Sequence, residues 1–182
     1  MNLGPTLLTP RLILRPPTQE DFDAFASMAL EEDTMRFIGG TAARDAAWRT
    51  MATMAGSWAL LGFSMFSVLE RETGEWIGRL GPWRPGGTEG NWPGNEVGWG
   101  LKRSAMGRGY AAEGATAAID WAFDHLGWDH VIHSIQEENA PSIALALRLG
   151  STLEREDVSL PAPYEAVKVD IYGQSRTRWR AR

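Results

Sequence analysis

The 182 residues are 43% hydrophobic and 23% charged, the proportions of a globular chain long enough to bury a full core. There is no cysteine, which excludes disulfide frameworks, thiolate zinc sites and cysteine nucleophiles and fits a reducing compartment. A net charge of −5 argues against holding nucleic acid through bulk positive charge and suits small cationic substrates better than polyanions.

The opening Met1-Asn2-Leu3-Gly4-Pro5 has neither the basic nor the apolar region of a secretion signal. Residues 7–16, Leu7-Leu8-Thr9-Pro10-Arg11-Leu12-Ile13-Leu14-Arg15-Pro16, read as one strand bracketed by prolines. A helix is expected from Thr18, with Asp21 as the third-position acid of a capping box and Phe22, Phe25, Ala26 and Ala29 on its apolar face. A second helix, about 42–61, places Trp48, Met51, Met54, Ala55 and Trp58 three and four residues apart. The longest mainly apolar stretch, Trp58 to Leu69, is interrupted by Gly62, Ser64 and Ser67 and is far shorter than the roughly 20 residues of a membrane span. A cytoplasmic protein without membrane contact is therefore expected.

Phe63 to Leu69 and Glu75 to Leu80 read as an antiparallel hairpin. Residues 81–94 hold three prolines and five glycines and predict a long loop of the kind that forms binding surfaces. A strand follows at Glu96-Val97-Gly98-Trp99-Gly100-Leu101, then a helix over about 108–126, a strand at Val131 to Ile135, and a helix from Ala140 to Leu149 that stops at Gly150. Two last strands are expected near 151–155 and 166–172. One domain, residues 7–172, is then followed by a basic tail, 173–182, read as a solvated, frayed terminus.

Leu101 to Gly114 is the most informative stretch. A strand enters it, a helix leaves it, and Gly107 and Gly109 sit at the junction, so several backbone N–H groups converge at the positive end of a helix. Lys102, Arg103 and Arg108 add positive charge in an acidic chain, and together these features favour an anion site. Gly107-Arg108-Gly109-Tyr110-Ala111-Ala112 also satisfies the dinucleotide fingerprint G-x-G-x-x-A, but the context is wrong. That motif closes the first strand of a parallel sheet, and here the whole N-terminal half precedes it. The three histidines, His125, His130 and His133, lack the spacing of a metal site and read as structural.

Four motifs in order resemble the GNAT superfamily of N-acetyltransferases, in its branch similar to the ribosomal-protein N-terminal (RimJ/RimL-like) acetyltransferases. Thr9-Pro10-Arg11-Leu12-Ile13-Leu14-Arg15-Pro16 matches the family's opening T-x-R-L-x-L-R-P. Glu96 to Leu101 matches its fourth strand, E-I-G-Y-x-L, and Gly107 to Gly114 its acetyl-CoA loop, G-K-G-Y-A-T-E-A. Asn139-Ala140-Pro141-Ser142 and Leu149-Gly150-Ser151-Thr152-Leu153-Glu154 match N-x-x-S and L-G-F-x-x-E. Met106 departs from the usual first residue of the loop. Ser151 replaces an aromatic and predicts looser packing, and the segment Trp83 to Trp92 has no counterpart in the family's common core.

The resemblance implies an α/β (α+β) fold: a mixed, mostly antiparallel central sheet, splayed between its fourth and fifth strands and flanked by helices. It implies acetyl-CoA as cosubstrate, with no metal, its pyrophosphate met by the loop from Met106 through Gly107, Arg108, Gly109, Tyr110, Ala111 and Ala112. A backbone N–H near Leu101 would face the thioester carbonyl and Asn139 would hold the pantetheine arm. Glu96 is the candidate base for the attacking amine and Ser142 the candidate donor to the leaving thiolate, although a glutamate at a strand entrance is more often solvated or paired with arginine, and Asn139 and Ser142 also suit a helix start. The acceptor is a primary amine, on a small molecule or a protein N-terminus; the alternative is a non-catalytic acyl-CoA sensor. Trp76, Trp83, Trp92 and Trp99 would line the acceptor pocket, pack the core or form a homodimer contact.

Overall fold

The computed structural model describes residues 3–85, 92–162 and 164–182. The proline-bracketed opening is two short strands, not one: β1 (Leu7–Leu8) and β2 (Leu12–Arg15) fold back with Leu7 opposite Leu14. The break falls at Thr9-Pro10-Arg11, where Pro10 has no N–H for a ladder and Thr9 N–H closes on Leu12 C=O at 3.0 Å. A 3-10 turn at Gln19–Asp21 leads into α1 (Phe22–Met28), and a one-turn helix that no sequence period marks, α2 (Glu32–Met35), precedes α3 (Arg44–Leu61). Gly62 ends α3 in the left-handed conformation, φ 75°.

The hairpin forms from β3 (Phe66–Glu70) and β4 (Trp76–Trp83). β4 continues through Gly81, Pro82 and Trp83, which sequence assigns to the loop; residues 86–91 of that loop lie outside the described residues. Pro82 is tolerated because it stands beyond the last β3 partner, Leu80 opposite Phe66, and occupies a non-hydrogen-bonded site against Val97. Then come β5 (Glu96–Leu101), α4 (Tyr110–His125), β6 (His130–Ile135), α5 (Ala140–Arg148), β7 (Thr152–Ser159), β8 (Lys168–Ser175) and α6 (Arg176–Arg180).

The strands form one open sheet in the order β1-β2-β3-β4-β5-β6-β8-β7, antiparallel throughout except where β5 and β6 run parallel. α4 packs on one face, over Leu12 and Leu80. Gly114 is required there, because a Cβ would sit 2.6 Å from Leu80 Cδ2. The other face carries α1, α2 and α3 on a second core of Phe25, Met28, Met54, Met65 and Trp76. The start of α1 is tied to the sheet by Asp21, only 3% exposed, which accepts from Arg15 at 2.7 Å, Thr18 N–H at 2.9 Å and Ser67 at 2.7 Å. Burial pushes its pKa up, but Arg15 and these donors hold it below the usual carboxylate value.

Two expectations about the C-terminal third are corrected. The basic end is a packed helix: Trp179 is 3% exposed, its Nε1–H donates to Asp120 at 2.8 Å, and Arg180 bridges Asp120 and Asp124 on α4. Acids that look like the solvated side of α4 thus receive α6. Ser151, in place of an aromatic, is 2% exposed and accepts from Gln174 Nε2 at 3.0 Å, so a buried hydrogen bond closes the gap.

Candidate active site

The site begins where the sheet parts. β5 and β6 share one register pair, Glu96 with Ile132, beside which Ile132 N–H donates to Asn95 C=O at 2.9 Å. Beyond it side chains replace the ladder. His133 Nδ1 meets Val97 C=O at 2.6 Å, while Ser134 N–H reaches Glu96 Oε1 at 3.4 Å. A carbonyl acceptor fixes the proton on Nδ1, and burial pushes the His133 pKa down to about 4, so the ring is a neutral wedge.

On its other side β5 is fully laddered to β4, with Lys102 N–H on Ile77 C=O at 2.8 Å. Alternation along an antiparallel pair then turns the N–H and C=O groups of Val97, Trp99 and Leu101 away from β4 and into the splay. Leu101 therefore aims its N–H into the gap, as the resemblance implies. Trp99 and Leu101 offer an extended ligand the backbone edge that β6 has left.

The gap leads to the glycine turn. Gly107 and Gly109 are left-handed, φ 74° and 79°, and Gly109 is the N-cap of α4. The first rung of α4 is Glu113 N–H to Gly109 C=O at 3.1 Å. The N–H groups of Gly107, Arg108, Gly109, Tyr110, Ala111 and Ala112 precede it and have no intrahelical acceptor. Their number, and the positive end of a 16-residue helix behind them, suit a pyrophosphate. Met106 contributes an N–H bonded to Arg103 C=O at 3.2 Å and a side chain that lies exposed.

The basic side chains do not form the cluster that sequence suggests. Lys102 is paired with Glu75 at 2.8 Å, Arg108 with Glu70 at 2.9 Å and Arg103 with Asp33. Anion binding here rests on backbone donors. The Tyr110 hydroxyl donates to Glu70 and its ring lies under Arg11 and Arg108, so this residue braces the turn.

Two motifs about a hundred positions apart prove to be one unit. Arg11 Nε donates to Glu113 Oε2 at 2.7 Å, its backbone N–H to Glu113 Oε1 at 2.8 Å, and its Nη1 to Arg108 C=O at 2.9 Å; Thr9 Oγ1 adds a bond to Glu113 at 2.6 Å. The β1–β2 turn thereby holds the loop and the first turn of α4 in place. Sequence gives the residue types but not this contact, because neither stretch signals its partner.

Glu96 lies in a cavity of about 350 Å³ on the α1–α3 face, at the closed end of the splay where β5 and β6 still pair. It is neither solvated nor paired with arginine, the two ordinary fates weighed for it. It is 7% exposed and is held by Trp92 Nε1–H at 2.6 Å and Ser134 Oγ at 3.2 Å. Burial pushes its pKa up to about 7 against these neutral donors. Trp83, Trp92 and Trp99 line the cavity, whereas Trp76 is core, donating to Ser67 Oγ at 3.1 Å.

Ser142 and Asn139 line the same cavity from the start of α5. Asn139 caps the helix, its Oδ1 accepting from Ser142 N–H at 3.3 Å, which leaves its NH₂ as the donor open to a ligand. Ser142 Oγ accepts from Trp99 Nε1–H at 3.1 Å, so the indole turns the serine's own O–H outward. His133, which sequence reads as structural, is buried in the apolar strand Val131-Ile132-His133-Ser134-Ile135 and shapes the opening.

A splayed parallel pair facing a helix N-terminus is the architecture of an acyltransferase. The chain matches the family described as “Acetyltransferase (GNAT) domain” over residues 11–152, and it belongs to that family. It is 30% identical over 172 residues to an uncharacterized N-acetyltransferase p20 of Bacillus licheniformis, covering 92% of this chain and 93% of that protein. An acetyltransferase from Agrobacterium tumefaciens superposes with a TM-score of 0.80 at 31% identity, over 94% of this chain and 95% of that one. Mycobacterium smegmatis RimJ, in complex with CoA-disulfide, shares the fold with a TM-score of 0.73 at 18% identity, over 91% of this chain and 82% of that one.

Proposed function

We propose that this chain transfers an acetyl group from acetyl-CoA to a primary amine by direct attack, with Glu96 as the general base. The observation that carries the reading is Glu96 itself: a buried carboxylate raised to about 7, fixed by Trp92 and Ser134 in the cavity where the splay begins. Alkyl amines have a pKa of about 10, so at neutral pH the acceptor arrives as a cation and must lose a proton before attack. A base near 7 takes that proton and is still ionised in a useful fraction of molecules.

Acetyl-CoA, when bound, supplies an activated acetyl thioester. The residues present fit it: free first-turn N–H groups from Gly107 to Ala112 for the pyrophosphate, the unladdered edge of Trp99 and Leu101 and the Asn139 NH₂ for the pantetheine amides. Leu101 N–H points into the gap, where a hydrogen bond to an oxygen gaining charge would lower the barrier. In the overall exchange the amine nitrogen gains a C–N bond and the C–S bond breaks; the ammonium's first proton passes to Glu96, and the second, shed as the C–N bond forms, ends on the departing sulfur through Ser142, whose O–H gives one proton and takes one back. No covalent acyl-enzyme is needed, in keeping with a chain that has no cysteine.

An amine panel followed by free-CoA release tests this, alongside thermal shift with acetyl-CoA. Acetyl-CoA binding with amine-dependent CoA release supports the reading. Binding without release from any amine supports the sensor alternative, and no thermal shift with CoA or acetyl-CoA removes both.

A further inference from the structure

The cavity that holds Glu96 also holds a cation with no counterion among the described residues. Arg79, on β4, is 8% exposed and lines the same cavity. Among the described residues no carboxylate lies within ion-pair distance of it. Its Nη1 meets only Met65 Sδ, at 3.1 Å, its Nε is buried without an acceptor, and its guanidinium carbon stands 5.8 Å from the centre of the Phe25 ring. A buried charge left this way costs several kcal/mol unless something supplies the opposite charge. Burial pushes the Arg79 pKa down, yet guanidinium keeps its proton at any physiological pH.

Arg79 and Glu96 share the cavity face of adjacent strands. Arg79 is level with Gly100 and Glu96 with Trp83, so about 13 Å of strand separates their Cα levels. Gly98 lies between them on the same face: a Cβ there would lie 3.8 Å from Glu96 Oε1 and 2.9 Å from Met65 Cε, while the sulfur of that same methionine touches Arg79. Both groups face one cavity, and among the described residues neither has an ion-pair partner.

We infer that the acceptor is a small amino acid, whose amine goes to Glu96 and whose carboxylate pairs with Arg79. This rests on the acetyl-transfer reading above and narrows its substrate. The guanidinium fork matches a carboxylate. It also places a positive charge where a polyamine would bring its second ammonium, and the cavity, about 350 Å³, is of small-molecule size. An unsubstituted amide in place of the acid removes the charge at nearly constant shape and leaves Arg79 unpaired.

The test is a cycle of substrate against enzyme. Free L-amino acids, their carboxamides, spermidine and a short peptide amide with a free N-terminus are compared as acceptors by CoA release, with wild type, Arg79→Met and Arg79→Lys. The expected result is turnover of at least one free amino acid with kcat/KM roughly 10- to 100-fold above its carboxamide, mainly through KM. Arg79→Met abolishes that preference and Arg79→Lys restores part of it, while the Tm shift produced by acetyl-CoA persists in both and reports a folded protein. Spermidine, carboxamides or the peptide turned over as well as the acids, or a preference that survives Arg79→Met, overturns the assignment of Arg79 alone. No CoA release with any amine overturns the acetyl-transfer reading and this inference with it.

Discussion

Replacing Glu96 with glutamine should make the protein more stable and nearly inactive at once. The carboxyl rises from 4.5 in the unfolded chain to about 7 in the cavity, a difference worth about 3 kcal/mol against the ionised native form. A group that binds its proton more tightly when folded contributes most below the unfolded value. Its contribution falls as pH rises through about 7 and is flat above. Glu96→Gln removes the titration but places an NH₂ or oxygen against Ser134, where one hydrogen bond is weakened at a cost of about 1 kcal/mol. The net gain at pH 8.5 is then about 1–3 kcal/mol, or a Tm increase of roughly 2–10 °C for a chain of this size. At pH 4.5 the gain disappears.

Urea unfolding of both proteins from pH 4.5 to 8.5 reads this difference directly, since every other titrating group cancels between them. Rate profiles give an independent view. Below pH 7 the wild type is limited by the fraction of ionised Glu96 that can take the proton of the cationic amine, so log kcat/KM rises with a slope near 1. Above it the profile is flat up to the amine pKa of about 10. The variant should lose about 10²- to 10⁴-fold in rate and show a slope of 1 throughout. A stability difference equal at pH 4.5 and 8.5, or a wild-type profile without a break, refutes the buried-base argument.

Ser142→Ala should lower kcat at least tenfold while leaving the acetyl-CoA Tm shift in place; an unchanged kcat removes Ser142 from the chemistry. Glu113→Ala releases Thr9, Arg11 and the loop from one another, and should raise the KM for acetyl-CoA about tenfold with a smaller effect on the acceptor KM, as initial-rate kinetics will show. His133, depressed to about 4 in the fold, contributes stability that is present above its unfolded value of 6.5 and lost as pH falls toward 4; His133→Asn should abolish this dependence in urea titrations, leaving a curve flatter than that of wild type. Trp179→Ala empties the contact of α6 on α4 and should cost about 3–5 kcal/mol in the same measurement.

Sequence periodicity located most of the helices and strands that position the site because their signals are local. Glycines at 107 and 109 must turn the chain, the small residues of α4 must face a sheet, and Glu96 to Leu101 alternates as a strand should. What it could not show was decided by contacts at a distance. The break at Thr9-Pro10-Arg11 is stabilised by Glu113, a residue no local rule connects to it. The tail folds because Asp120 and Asp124 await its tryptophan and arginine. Arg79 was invisible for a simpler reason: in Trp76-Ile77-Gly78-Arg79-Leu80 the alternation puts arginine on the polar side of a half-buried strand, and nothing in the pattern says that α1 will cover that side.

The same molecule shows how it treats a buried carboxylate that only holds the fold together. Asp21 has Arg15 and a ring of donors, and its pKa ends below the ordinary value. Glu96 is almost as buried, yet it receives only neutral donors and its pKa ends above. A cation to neutralise it lies on the neighbouring strand, on the same face, in the same cavity. The strand register keeps Arg79 four residues out of step, and its guanidinium meets Met65 Sδ instead. Two opposite charges held apart at a cost to stability gain nothing for the empty fold, and both costs fall when a molecule bearing an amine at one end and an anion at the other lies between them.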